Sequence, residues 1–372
     1  MFPFYLGAGL CPPQSNDLNS ALQWHLPWHK ARVKFVASFI LALLQVTTVN
    51  LIRIANGLNG QADKKSNYRR IQRFFALFEI DSDQIAQVIV ALLPVQRNWL
   101  VTLDRTHGQF GKLQINILLV GLVFQGVSFP LYWTLLPKKG NSNTLERIAL
   151  MEQVIQCLGK AHIVAVIGDR EFIGQHWFKW LDQNGLTYHM RIKENAVLPG
   201  TKPQPNVRTL FGDLPVDHSR CLRKRRWIYG QSVFLAGVRL KDEYLIVASN
   251  KEPTQALARY QKRWSIEVLF SALKKRGFDF EQTHLTDPER IKKLVALLAI
   301  AFTWAHLVGV WLAEKKPLKI KKHGYREQSL FRYGLDHLQY LLLNIQQQMT
   351  EFYHCVWLLI CPPETQENSF VV

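Results

Sequence analysis

Residues 99–192 hold a succession of apolar runs and amphipathic segments that few architectures can accommodate. Residues 100–103 read as a short apolar strand ending at Asp104, and 113–123 and 127–136 as the next two strands, with Gln125-Gly126 as the turn between them. A polar loop over 137–143 leads to helical periodicity over 144–158. Residues 163–167 form another buried strand ending at Gly168-Asp169, followed by a helix over about 173–183 and a strand over 187–192. Strand, strand, strand, helix, strand, helix, strand predicts a mixed α/β sheet covered by helices.

The flanking sequence is different in texture. Residues 1–95 read as helical: 33–51 is apolar and helix-length, and Asn56, Gly57, Asn59 and Gly60 break it. A second helix over 66–78 has Ser66 or Asn67 as its cap. Tyr68, Ile71, Phe74, Phe75 and Phe78 share one face of that helix, and Arg69, Arg70 and Arg73 lie on the other. Two helices around a glycine-bearing break suggest a DNA reader of the helix-turn-helix kind, or an amphipathic pair packed on the next domain. The basic face favours DNA. Residues 195–253 hold prolines, an Arg/Lys cluster and strands at 228–240 and 244–249, a small β insertion. Long helices follow over 256–276 and 289–313, then a basic linker beyond Pro317, a helix over 328–349 and a frayed end from Cys361. The expected parts are therefore 1–95, 96–194, 195–253, 254–314 and 315–372.

Residues 294–313 are apolar enough and long enough to span a bilayer. They contain Thr303 and His306, and no second stretch resembles them, so a buried core helix is expected and a membrane span is the rival. Charge points elsewhere. Lys and Arg total 46 against 28 acidic residues, a net +18 over 372 residues. They cluster at Lys64–Arg73, at Arg220–Arg226 and at Lys315–Arg326. A polyanionic partner answers such clustering better than a solubility surface does, because phosphate contacts release counterions. The five cysteines show no CxxC or ligand spacing, and no signal peptide is evident, which fits a reducing, cytoplasmic setting.

The sequence YQKRWSIEVLFSALKKRG carries the sharpest pattern. At roughly 100° per residue, Tyr260, Arg263, Glu267 and Lys274 fall within a stripe about 60° wide. Ile266, Leu269, Phe270 and Leu273 lie on another side, facing a core. A carboxylate between cations and a phenol suits a metal-bound phosphodiester. A salt-bridged surface helix would look the same, since Arg263 and Glu267 are four apart. Asp104 and Asp169 add weight because each follows a buried strand, where sites gather in open α/β sheets. Asp182, Asp213 and Asp279 do not follow buried strands in this order.

The spacing Tyr260-x₂-Arg263-x₃-Glu267-x₆-Lys274, with Trp264 and Ile266 completing YxxRWxIE, resembles the Y-R-E-K signature of DDE transposases from bacterial insertion sequences. With roughly one chance in twenty per position, four fixed residues would match somewhere in such a chain about 0.002 times. LDRT at Asp104 and GDREF at Asp169 are similar to that family's first two acidic motifs, and NYRRIQRFF resembles its N-terminal region. The resemblance thins before residue 30 and after about 315.

It implies a ribonuclease-H-like core interrupted by a β insertion, with a helical DNA-binding region before it and a helical tail after it. Asp104, Asp169 and Glu267 would hold two Mg²⁺ or Mn²⁺ ions, and Tyr260, Arg263 and Lys274 would grip the transposon end. A tryptophan of the insertion would stack on a flipped base. Trp227 is the candidate, with a small-core strand position as its alternative, and Trp264 is expected to pack beside the site. The implied reaction hydrolyses the element's end and uses the freed 3′-hydroxyl as nucleophile, first on the opposite strand to form a hairpin and then on target DNA. Double-stranded DNA, a synaptic homodimer helped by the C-terminal helix, and a cytoplasmic, nucleoid-associated setting complete the expectation. A structure-specific nuclease of the same fold and a non-catalytic DNA-binding derivative are the rivals.

Overall fold

One sheet organises the molecule. In the computed structural model, which describes residues 17–363 apart from 59, 61, 94–97, 111–112, 137, 139, 201–203, 252, 323 and 325, it runs through nine strands. These are β1 (Trp99–Phe110), β2 (Leu113–Phe124), β3 (Val127–Leu136), β4 (Ile163–Gly168), β5 (Tyr188–Ile192), β6 (Ser219–Cys221), β7 (Arg226–Ile228), β8 (Gln231–Arg239) and β9 (Tyr244–Ser249). Their order is β3-β2-β1-β4-β5-β9-β8-β6, with β7 paired to β8. β1, β2 and β3 form an antiparallel meander, β4 and β5 add in parallel, and β9 returns antiparallel to β5. Gln125 and Gly126 both have positive φ (48° and 78°), as a two-residue hairpin turn requires.

Among the described residues five helices precede the sheet: α1 (Leu18–His25), α2 (Lys30–Val46), α3 (Leu51–Gly57), α4 (Lys64–Leu77) and α5 (Ser82–Leu92). Among the described residues after β3 come α6 (Thr144–Leu158), α7 (Gln175–Gln183), α8 (Ala256–Gln261), α9 (Trp264–Leu273), α10 (Pro288–Lys315), α11 (Leu330–Leu343) and α12 (Met349–Trp357). Asn143 and Glu146 start α6 with a reciprocal capping box. The 294–313 stretch is the middle of α10, and Leu294 through Val310 are all buried between the sheet and the other helices. Two glycines allow that packing. A Cβ on Gly309 would lie 1.8 Å from the Leu330 carbonyl oxygen, and one on Gly334 would lie 1.8 Å from that of Ala305. The backbones of α10 and α11 therefore touch.

Several elements differ from the sequence expectation. The 33–51 run is not one helix: Thr47 takes a left-handed conformation (φ 49°), and α3 leaves α2 at 106°. α4 is capped by Asp63 rather than Ser66 or Asn67. The Asp63 carboxylate accepts the Ser66 N–H at 2.8 Å, while Asn67 is buried and donates to the Ala55 carbonyl. β1 does not end at Asp104, because β2 continues to pair with it past the end of β4. The 256–276 helix is split into α8 and α9, and Lys274 leaves the helix with ψ −144°. The helix expected over 328–349 ends at Leu343, and α12 begins where it was to stop. Residues 195–253 do not stand apart as a separate sheet, since β9, β8 and β6 extend the central one. Cys157, Cys221, Cys355 and Cys361 are free thiols; Cys11 and the end beyond 363 lie outside the described residues.

Candidate active site

β1 and β4 run parallel with Leu103 opposite Gly168, so Asp104 and Asp169 emerge side by side where β4 stops. Asp104 is mid-strand in β1, yet it occupies the level at which its parallel partner ends. That places it at the carboxyl edge of the parallel part of the sheet. α9 packs across β3, β2 and β1 and brings Glu267 over the same edge. Ile266, Leu269, Phe270 and Leu273 bury the side of α9 next to the polar stripe, as the wheel predicts.

The link between α8 and α9 sharpens the arrangement. Lys262, Arg263, Ser265 and Ile266 donate their N–H groups to carbonyls three residues back rather than four. That tightened turn has about 3 residues per turn, so Tyr260 and Arg263 nearly eclipse each other instead of lying apart on a wheel. Arg263 reaches between the acids. Its Nη1 donates to Asp104 Oδ2 at 3.0 Å and its Nη2 donates to Glu267 Oε1 at 2.8 Å. The Tyr260 hydroxyl donates to Asp169 Oδ1 at 3.2 Å. Three of the four stripe residues thus converge with both aspartates. Lys274 does not join them: its Nζ donates to the His107 carbonyl at 2.7 Å, further along β1.

Burial sets the electrostatics. Desolvation pushes the Asp104 carboxyl up to about 6, against the Arg105 backbone N–H and Arg263, which favour its charged form. Asp169 and Glu171 add to the rise. Tyr260 is pushed up to about 12, first by burial. Burial alone would lower the Arg263 guanidinium, but Tyr260, Glu267, Asp104 and Asp169 together hold it above its ordinary value. Burial lowers Lys274. Arg263 is therefore the positive hub of a half-buried acidic cluster, and its Nε is buried with no hydrogen-bond partner among the described residues.

A model of the transposase DDE domain matches residues 103–304, more than half of the chain. The chain belongs to the transposase DDE-domain family. The match opens one residue before Asp104, encloses Asp169 and Glu267, and ends inside α10. No curated protein matches the chain. As a DDE-type transposase it cleaves DNA and transfers strands, and its substrate is DNA.

Transposases of this family use divalent metal ions. Among the described residues no group of three His, Cys, Asp or Glu side chains stands close enough to hold one between them, and Arg263 is bonded to both Asp104 and Glu267. The donor set nonetheless fits such an ion. Asp104, Asp169 and Glu267 offer hard carboxylate oxygens from β1, the end of β4 and α9, and the one guanidinium between them meets only part of their negative charge.

The other sequence candidates take varied places. Arg69, Arg70 and Arg73 are exposed on α4, and the Arg70 guanidinium lies 5.0 Å from the centre of the Phe35 ring. Trp227 is 58% exposed on β7, so it is not a core residue of the insertion. Trp264 lies beside Arg263, whose guanidinium is 5.7 Å from its ring, and is 64% exposed. Asp213 is held by both terminal nitrogens of Arg220.

Two neighbours of the acids, Arg105 and Glu171, join the site beyond the residues expected from the sequence. Arg105 grips Glu171 through Nε (3.0 Å) and Nη2 (3.1 Å), and donates to Asn116 and Asn141. It ties β1 and β2 to the loop that carries Asp169. Both residues lie inside the LDRT and GDREF strings, which was the available signal.

Proposed function

We propose that this transposase binds the terminal inverted repeats of an insertion sequence, cleaves there with Asp104, Asp169 and Glu267 as its metal ligands, and joins the freed 3′ ends to target DNA through hairpin intermediates. The observation that carries the reading is the interposed Arg263, bonded to Asp104 and Glu267 and held above its ordinary value by these two acids, Tyr260 and Asp169. Carboxylates from three elements around one guanidinium leave an excess of negative charge of the kind that divalent ions would meet. The β3-β2-β1-β4-β5 order, with an antiparallel meander and two parallel strands, supports a ribonuclease-H-like core.

When bound, two Mg²⁺ or Mn²⁺ ions supply water activation and stabilisation of the leaving 3′ oxygen. The protein's own groups bind and orient. Asp104, Asp169 and Glu267 would hold the ions, and Arg263 would grip the phosphates near the cleavage point. Tyr260 and Lys274 hold the flanking phosphates. Trp227 stacks on a flipped base, and Arg69, Arg70 and Arg73 contact the end's backbone. Two copies pair the two ends in the cytoplasm, on the nucleoid.

A strand-transfer assay tests the reading. With a precut end the wild-type protein should give joined product, whereas a nuclease of the same fold would give none. Asp104→Ala, Asp169→Ala and Glu267→Ala should each bind the end and leave it uncut; full cutting by Glu267→Ala in Mg²⁺ would overturn the assignment.

A further inference from the structure

Three hydroxyls lie in a row in the dry interior beneath the site. Thr102 Oγ1 stands 3.1 Å from the Gly121 carbonyl oxygen and 2.7 Å from Ser128 Oγ, which stands 2.8 Å from Ser265 Oγ. Thr102 and Ser128 are fully buried and Ser265 is 2% exposed. They come from β1, β3 and α9, all distant in sequence. One ordering satisfies every proton: Ser265 donates to Ser128, Ser128 to Thr102, and Thr102 to the Gly121 carbonyl. Gly121 keeps the space for it, since a Cβ there would sit 3.1 Å from the Ser128 Cβ and 3.2 Å from Thr102 Oγ1.

The chain's position gives it a task. Thr102 is two residues before Asp104 on the same face of β1, about 7 Å along the strand. Ser265 lies between Arg263 and Glu267 on α9. The row therefore bridges the strand that carries the first acid and the helix that carries the third. Arg263 on Asp104 and Lys274 on the His107 carbonyl anchor the two ends of α9 to β1 from the site's rim, but between them α9 buries Ile266, Leu269 and Phe270, and apolar contacts do not fix how a helix turns. Directional bonds in a low-dielectric interior do, and unmaking one leaves a buried hydroxyl unpaired.

We propose that Thr102, Ser128 and Ser265 are positioning residues that set the placement of α9 on the sheet, and through it the distance from Glu267 and Arg263 to Asp104. The proposal rests on the metal-site reading above. Misplacement of a ligand by about 1 Å can lower a rate by about a hundredfold.

The test uses the full chain with Thr102→Val, which keeps the shape and removes the hydroxyl, Ser128→Ala, and Thr102→Ser as the conservative rescue. Two readouts are followed: amide hydrogen exchange in α9 against α10 without metal, and the Mg²⁺ concentration for half-maximal end cleavage. Thr102→Val and Ser128→Ala should exchange α9 amides about tenfold faster with α10 unchanged, and should need severalfold more Mg²⁺, while Thr102→Ser behaves as wild type. Wild-type exchange in α9 for Thr102→Val would overturn the proposal, as would equal acceleration in α9 and α10. If Glu267→Ala cleaves in the same assay, the metal-site reading fails instead, and the exchange data still decide whether the hydroxyls hold α9.

Discussion

Replacing Arg263 with glutamine removes the cation on which Asp104 relies. Asp104 already sits near 6 because burial outweighs the groups that favour its charge. Its side chain is 16% exposed and the Arg263 Nη1 contact is 3.0 Å, so solvent screens the pair only in part. Two unit charges about 4 Å apart at an effective dielectric of about 20 interact by about 4 kcal/mol. A neighbouring arginine lowers a carboxyl by about 1–3 units, so the variant should raise Asp104 by a further one to two. The sign follows from linkage. A carboxyl raised from 3.8 to about 6 stabilises the fold below 3.8 and loses that contribution as pH rises through about 6. In Arg263→Gln the loss continues above 6 and amounts to a further 1.4–3 kcal/mol, approximately, by neutral to mildly alkaline pH. Thermal unfolding without metal, stepped from pH 4 to pH 9, reads it, with the double variant Asp104→Asn/Arg263→Gln as the control that should flatten the extra slope. Parallel stability curves for wild type and Arg263→Gln would refute the hub role of Arg263.

Other expectations follow from single contacts. Gly309→Ala should cost at least about 2 kcal/mol or abolish folding, because its Cβ meets the Leu330 backbone rather than a side chain that can move; urea unfolding measures it. Trp227→Ala should leave the melting temperature within about 2 °C, since the ring is exposed, while slowing hairpin formation at the end. Replacing Arg69, Arg70 and Arg73 together by alanine should flatten the slope of log K against log salt for end binding by up to about 3, with little change in stability. An unchanged slope would remove α4 from the DNA interface.

The sheet was largely legible. Apolar runs and the Gln-Gly turn place β2, β3, β4 and β5 within a residue or two, because those strands are defined by local pattern. β1 was read too short, since Asp104, Arg105, Thr106 and His107 look like a loop, and only long-range pairing with β2 keeps them extended. Continuity of the insertion with the core depends on β5 meeting β9, a contact between segments some fifty residues apart with no local signature. The break between α8 and α9 falls among ordinary helix formers, Gln261, Lys262 and Arg263, so packing overrides propensity there. Asp104, Asp169 and Glu267 are legible as motif residues. That Arg263 turns inward to bridge them is not, because a wheel assigns a charged side chain to the outside. Thr102, Ser128 and Ser265 left no trace at all, as each is an ordinary residue until the fold aligns them.

The most direct test of the metal site is cleavage of the element's own end by Asp169→Cys in Mg²⁺ and in Mn²⁺. A thiolate is a soft ligand that suits Mg²⁺ poorly and a transition-metal ion better. If Asp169 ligates the catalytic metal, the variant should bind the end, fail to cut it in Mg²⁺, and recover cutting in Mn²⁺. Wild-type cleavage in Mg²⁺ would contradict the assignment, and so would equal inactivity with both ions in a protein that still binds the end.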